Sequence, residues 1–241
     1  MSSSWFGGKK GRAREVDWAR HVQQDTQRTD QALIALIAIN VLVWAGWSVA
    51  MQSARSGDEG LLALFGDHFL VPGVLPLALM RPWTLLTSTF SHIDFGHIAF
   101  NMIALYVFGR EVGRQNSTFT LVQLYVVGGV LASAAHVAFG TLMGAGNPAL
   151  GASGAVMALG AVYALTNPNR ILMINFILPM PAWAMFTLYV VLDVVGLGTP
   201  GSGIAHAAHL GGALYGLLYW LLRIRPSGRP RFKKGTYGTR L

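Results

Sequence analysis

Gly151-Ala152-Ser153-Gly154-Ala155 is the stretch on which the reading of this chain turns. A turn-rich run, Gly144-Ala145-Gly146-Asn147-Pro148, precedes it, and an apolar helical pattern follows it to Thr166. Ser153 therefore sits where a loop becomes a helix. Glycines on either side let the backbone bend sharply and approach a neighbour closely. The first turn of a helix points unpaired N–H groups outward, and these suit an anion such as a tetrahedral acyl-transfer intermediate. Small residues at a helix start are also ordinary packing in a membrane. The meaning of the pentapeptide depends on what the chain brings to the same depth.

Composition names the solvent. Charged residues make up 12% of the 241, and they concentrate at the two ends; a soluble domain carries about 25%. Continuous apolar runs between polar ends predict an all-α polytopic membrane protein whose helices satisfy their own backbone. Such runs do not alternate as the strands of an outer-membrane barrel do. The net charge of +8 would suggest nucleic acid in a soluble protein. Here it reports topology and contact with anionic lipid headgroups, and no nucleic-acid partner is expected. The absence of cysteine excludes disulfides, thiolate catalysis and cysteine-ligated metals.

Outward from Ser153, the apolar pattern gives six spans. Residues 1–31 are polar and mixed in charge, and read as a solvated cytoplasmic tail. Their acidic residues Glu15, Asp17, Asp25 and Asp30 disfavour a transit peptide, and no secretory signal core appears before residue 32. The first span is Ala32 to Met51. Residues 52–91 are too apolar for a floppy linker and read as a structured loop in the membrane interface, anchored by Trp83. Further spans are expected at 92–109, 118–140, 153–166, 182–195 and 204–222, with an interfacial segment at 171–180 broken by Pro179 and Pro181. The span from Ser153 to Thr166 reaches only about 21 Å, short of a hydrocarbon core of about 30 Å. Its start must lie below the membrane surface, or the bilayer must thin.

Basic residues fall at both ends, at Arg110/Arg114 and at Arg170, while the other connections are neutral or acidic. Six spans with both termini cytoplasmic fit this distribution, and the expected location is the plasma (bacterial inner) membrane. The core is 32–222, and 223–241 form a basic cytoplasmic tail.

In this topology the second, fourth and sixth helices start at one depth. The first turns of the second hold His97 and Asn101, the fourth starts at Ser153, and the first turns of the sixth hold His206 and His209. Positions four or three apart share a helix face, and polar groups are costly at this depth, so their agreement points to a functional site. The chemistry is serine acyl transfer. A serine hydroxyl needs a base to become a nucleophile, and a neutral imidazole supplies one near neutral pH. Backbone N–H groups around Ser153, with the His97 and Asn101 side chains, are the expected oxyanion donors. No acidic third member is expected at that depth: Asp94 is placed near the surface and Asp193 toward the end of the fifth span, so a Ser-His dyad is expected. From the residues alone, either His206 or His209 can serve as the base.

The run His92-Ile-Asp-Phe-Gly-His97-Ile-Ala-Phe-Asn101-Met102, then Gly151-Ala-Ser153-Gly154-Ala155, then Ala208-His209-Leu-Gly-Gly212 continuing to Gly216 resembles the rhomboid intramembrane serine proteases of the bacterial six-span type. The family's HxxxN, GxSG and AHxxG elements occur in order and at helix starts. The resemblance implies Ser153 as nucleophile, His209 as general base, and His97 and Asn101 as oxyanion-hole side chains. It implies Gly151 as the loop glycine that lets the site close up. It also implies Gly212 and Gly216 as the small face on which the sixth helix approaches the fourth, and Arg110 and Glu111 as a structural cap. His206 becomes a neighbour in the water-accessible cavity. Trp83 is followed by Thr84 where the family often has arginine. The implied substrate is the membrane-spanning segment of a single-pass protein, cut near the outer face, with the fifth helix and the 196–203 loop as lateral gate and cap. No cofactor or metal is expected.

Two other readings compete. His92, His97, His206 and His209 could ligate a metal, but the chain has no HExxH motif. An inactive relative that binds client helices typically lacks the serine or the histidine, and this chain has both.

Overall fold

The computed structural model describes residues 7–144, 146–174, 178–197, 199 and 205–225, and the side chains of these except residues 7–22 and 174. The polypeptide is mostly helical. Helix α1 runs Gly7–Arg55, and a string of short helices, α2 (Gly60–Phe69), α3 (Leu75–Met80) and α4 (Thr84–Thr87), fills the first long connection. Helix α5 (Phe95–Ala104) passes through a π-helical turn at Leu105–Gly109 into α6 (Arg110–Gln115). Then come α7 (Thr118–Leu142), α8 (Ser153–Thr166), a hairpin of β1 (Ile171–Ile174) and β2 (Leu178–Pro181), α9 (Ala182–Gly196), and α10 (His206–Tyr219) continued by a second π-helical turn, Trp220–Ile224. Among the described residues, two helical stretches, Gln23–Arg55 and Thr118–Leu142, are long and apolar enough to cross a bilayer; Ser153–Thr166 and Ala182–Gly196 are shorter apolar helices.

Helix α8 is the axis of the bundle. It is apolar all round, and every residue from Gly154 to Ala164 except the half-buried Met157 is buried, as a core helix must be. Its small residues admit other backbones at close range. A Cβ on Gly212 of α10 would stand 1.9 Å from the Gly154 carbonyl oxygen, and one on Gly216 would stand 2.3 Å from that of Ala158. From α7, Gly128 meets the Ala158 methyl in the same way. Larger side chains fill the core beside α8: Leu33, Leu105, Leu121, Leu124, Leu159 and Tyr163 form one buried cluster.

Three differences from the sequence reading have plain causes. Residues 7–31, expected as a solvated tail, extend the first helix by several turns from residue 7. Thr29 is fully buried, with its hydroxyl 2.9 Å from that of Thr118, and Asp30 forms ion pairs with Arg110 and Arg114, each at 3.0 Å. Packing of Thr29 and Asp30 against the α6–α7 corner, not apolar sequence, anchors the helix there. The stretch from Arg110 to Arg114, which the sequence leaves as a connection between the spans 92–109 and 118–140, is helical, because the π-helical turn carries α5 into α6 without a break. The segment 171–180, expected to be interfacial, contributes to an antiparallel pair of strands, β1 and β2, in the register Ile171↔Pro181 and Met173↔Pro179, so the fold is not purely α. Pro179 and Pro181 are tolerated because a two-stranded ladder has edges on both sides.

The long first connection is structured, as its apolar content predicts. Its role is to hold the segment before Ser153. Val71 and Ala149 exchange both backbone hydrogen bonds at 2.9 Å, and the Gly151 N–H donates to the Ser88 carbonyl at 2.9 Å.

Candidate active site

Three helix starts converge on Ser153. Asp94 caps α5, its Oδ1 accepting from the His97 N–H at 2.7 Å. That cap sets the first turn of α5 with the His97 ring against Gly151. Gly151 has φ +122°, and a Cβ there would lie 2.7 Å from His97 Cε1 and 3.8 Å from Ser153 Oγ. Only glycine accepts both that backbone and that proximity. His92 is fully buried, and its Nε2 accepts from the Ala152 N–H at 3.4 Å. The rings of His92 and His97 meet edge to face with centroids 4.9 Å apart.

Ser153 opens α8 and His209 lies in the first turn of α10. The close approach of these helices at Gly154 and Gly212 brings His209 Nε2 within 2.7 Å of Ser153 Oγ. His206 does not reach the serine. Of the two histidines that the residues alone left open, His209 is the one in contact with Ser153. Asn101 is buried one turn below His97, and its Nδ2 donates to the His97 carbonyl at 3.0 Å. His97, Asn101, Gly151, Ser153 and His209 thus lie in one neighbourhood. A small cavity beside Ser153 is lined by Ser88, Ser133, His136, Gly151 and Gly154.

The backbone around the serine is already partly committed. The Gly151 N–H goes to Ser88 and the Ala152 N–H to His92. These bonds hold the loop immediately before Ser153.

An acidic residue does stand at this depth, contrary to the sequence reading. Asp193 of α9 is buried, and its Oδ1 lies 2.9 Å from His209 Nδ1 and 2.8 Å from His206 Nδ1. A carboxylate oxygen accepts, so both Nδ1 atoms carry the protons. His209 Nε2 is then a lone pair facing the serine hydroxyl. Sequence reasoning placed Asp193 at the end of the fifth span and stopped there. The signal was the brevity of the 197–205 connection, which sets the end of α9 beside the start of α10.

Asp193, His206 and His209 also form the acid-imidazole cluster that a metal could use, their ligand atoms all within 4.8 Å. The 2.8 and 2.9 Å separations are hydrogen-bond lengths onto a single oxygen. Ligands at about 2.0–2.1 Å around one tetrahedral ion stand farther apart than this. The cluster fits shared protons better than a cation.

Comparison with known proteins decides the family. Residues 80–226 match the family model described as the Rhomboid domain. The chain belongs to the rhomboid family. Among its relatives, RHOMBOID-like protein 12, mitochondrial, of Arabidopsis thaliana is 36% identical over 63% of this chain and 49% of its own length. Presenilin-associated rhomboid-like protein A, mitochondrial, of Danio rerio is 31% identical over 78% and 47%. Rhomboid protein 1, mitochondrial, of Saccharomyces cerevisiae is 32% identical over 56% and 40%. The chain therefore spans about half the length of the first two of these. Rhomboid proteins are in general intramembrane serine proteases.

These relatives correct the expected location. All three are named mitochondrial, which contradicts a plasma (bacterial inner) membrane. The basic-residue bias orients helices with respect to whichever membrane holds them. It carries no information on which membrane that is.

Proposed function

We propose that this rhomboid protein is a serine endopeptidase that cuts membrane-spanning segments of other proteins within the bilayer. The 2.7 Å contact between Ser153 Oγ and His209 Nε2 supports this reading most directly. His209 Nε2 takes the hydroxyl proton as Oγ attacks the scissile carbonyl carbon, and returns it to the leaving amine as the C–N bond breaks. Water, deprotonated by the same nitrogen, then attacks the ester carbonyl, and the proton passes to Ser153 Oγ as the C–Oγ bond breaks and the acyl group leaves as a carboxylic acid. The Ser153 N–H, His97 and Asn101 supply hydrogen bonds to the oxyanion. Gly151 leaves room for His97 to approach.

The substrate in this reading is a single-pass membrane protein in a lipid bilayer, unwound locally so that its peptide bonds are exposed. Six spans carry the site: α1, the continuous α5–α6, α7, the short α8, α9 and α10. Helix α9 is the lateral gate. Within the proposed 196–203 cap, residues 198 and 200–203 lie outside the described residues. The relatives' names favour a mitochondrial membrane.

The test is cleavage of a generic single-span substrate in liposomes by the full chain. Ser153→Ala and His209→Ala should abolish cleavage, while His206→Ala should retain it at a reduced rate. Loss in His206→Ala with survival in His209→Ala would reverse the choice of base. A wild-type protein that cleaves no substrate and does not react with a fluorophosphonate probe would leave client binding as the better reading.

A further inference from the structure

We propose that Asp193 is a positioning residue for the Ser153–His209 pair, and that it aligns the base only while the last turn of α9 is docked on the first turn of α10. The inference rests on the protease reading and adds a third member, carried on a separate helix, to its two reacting groups.

The position is demanding. Asp193 is 6% exposed, and a carboxylate shielded from water needs donors to stay there. Among the described residues it has two, the Nδ1–H groups of His206 and His209, both aimed at Oδ1. An sp² oxygen has two lone pairs, so the geometry uses that atom fully. For His209 the consequence is chemical. A neutral imidazole carries one N–H and one lone pair, and holding the proton on Nδ1 keeps the lone pair on Nε2, where Ser153 is. The same bond fixes the ring plane.

For His206 the consequence is mechanical. Its ring lies against Gly196, one turn beyond Asp193, where a Cβ would stand 2.3 Å from His206 Cε1. The end of α9 thus engages α10 twice, by a shared acceptor and by a missing side chain. Movement of α9 away from α10 carries Asp193 off His209 and releases its tautomer. A helix that swings to admit substrate would disarm the base until it returned.

The experiment compares wild type with Asp193→Asn and Asp193→Glu in the full chain. It reads fluorophosphonate labelling of Ser153, substrate kcat and KM, the thermal midpoint, and the ¹⁵N signature of His209. Asparagine can offer Nδ2 to the imidazole and select the wrong tautomer. We expect kcat and labelling to fall by about 10² to 10⁴, with KM within about twofold. His209 should be Nδ1–H in the wild type and mixed or Nε2–H in Asp193→Asn, and Asp193→Glu should recover part of the rate. Equal kcat and an unchanged tautomer in Asp193→Asn would overturn the proposal. So would a rate loss matched by loss of folded protein, or activity removed by exhaustive chelation and restored by zinc. If wild type itself fails to label, the protease reading fails first, and the two failures are distinguishable.

Discussion

Gly212 approaches Gly154 so closely that a Cβ on Gly212 would stand 1.9 Å from the Gly154 carbonyl oxygen. The obstacle is backbone, which cannot rotate away as a side chain can. Gly212→Ala must push α10 off α8 and lengthen the 2.7 Å Ser153–His209 contact one turn away. We expect about 1–3 kcal/mol of destabilisation and loss of fluorophosphonate labelling at temperatures where the variant is still folded. Full labelling by a stable Gly212→Ala variant would show that the helix contact does not set the site.

Gly151→Ala tests a different constraint. The residue has φ +122°, and the added methyl would meet His97 Cε1 at 2.7 Å. Both the backbone cost, of order 1–3 kcal/mol, and the displacement of His97 act on the oxyanion side of the site. The expected result is a fall in kcat of about tenfold or more while the His209–Ser153 contact survives. Wild-type kcat in this variant would remove Gly151 and His97 from the site.

His92 touches no reacting atom. It accepts the Ala152 N–H at 3.4 Å from a fully buried position. Removing it orphans a buried donor, which costs about 1–3 kcal/mol, and frees the loop immediately before the nucleophile. His92→Leu should lower the thermal midpoint and reduce kcat, and the two should move together along a series of His92 substitutions. A His92 variant with normal stability and no activity would instead give this histidine a chemical role.

Much of this was legible before the structure, for reasons that can be stated. Helix α8 begins and ends where the sequence places it, because glycine and proline punctuation flanks a continuous apolar run. His97, Asn101, Ser153, His206 and His209 could be grouped because three helix starts were expected at one depth, and the family resemblance, not the depth, singled out His209. The π-helical turns at Leu105–Gly109 and Trp220–Ile224 have no such signal, since they alter hydrogen bonding and not hydrophobic pattern. Asp193 was missed because its partners lie on the next helix, 13 and 16 residues on, and periodicity within one helix cannot report them. Thr29 and Asp30 read as tail because their burial comes from Gly113, Thr118, Arg110 and Arg114, all far along the chain.

The Asp30 cluster joins α1 to α6 through two guanidinium groups that are about one-third exposed. Exposed pairs contribute little, roughly 0–1 kcal/mol, and salt screens them. Asp30→Asn should therefore lower the thermal midpoint slightly at low ionic strength and less at high. Turnover at a temperature where both proteins are folded should not change. A large, salt-independent loss would mean that the pair is buried more deeply in the bilayer assembly than its exposure indicates.

Gly196 and His206 allow the docking of α9 to be separated from the chemistry. A Cβ at Gly196 would stand 2.3–2.7 Å from three atoms of the His206 ring, so Gly196→Ala displaces a ring that shares Asp193 with His209. If this displacement is how the substitution acts, truncating the ring removes the clash. Gly196→Ala should reduce kcat in the wild-type background but cost little further in His206→Ala, giving a coupling of about 0.5–3 kcal/mol in a double-mutant cycle. Additive losses would mean that the methyl acts elsewhere, on the helix end itself. A coupled result would show that the last turn of α9 communicates with the base through the histidine beside it.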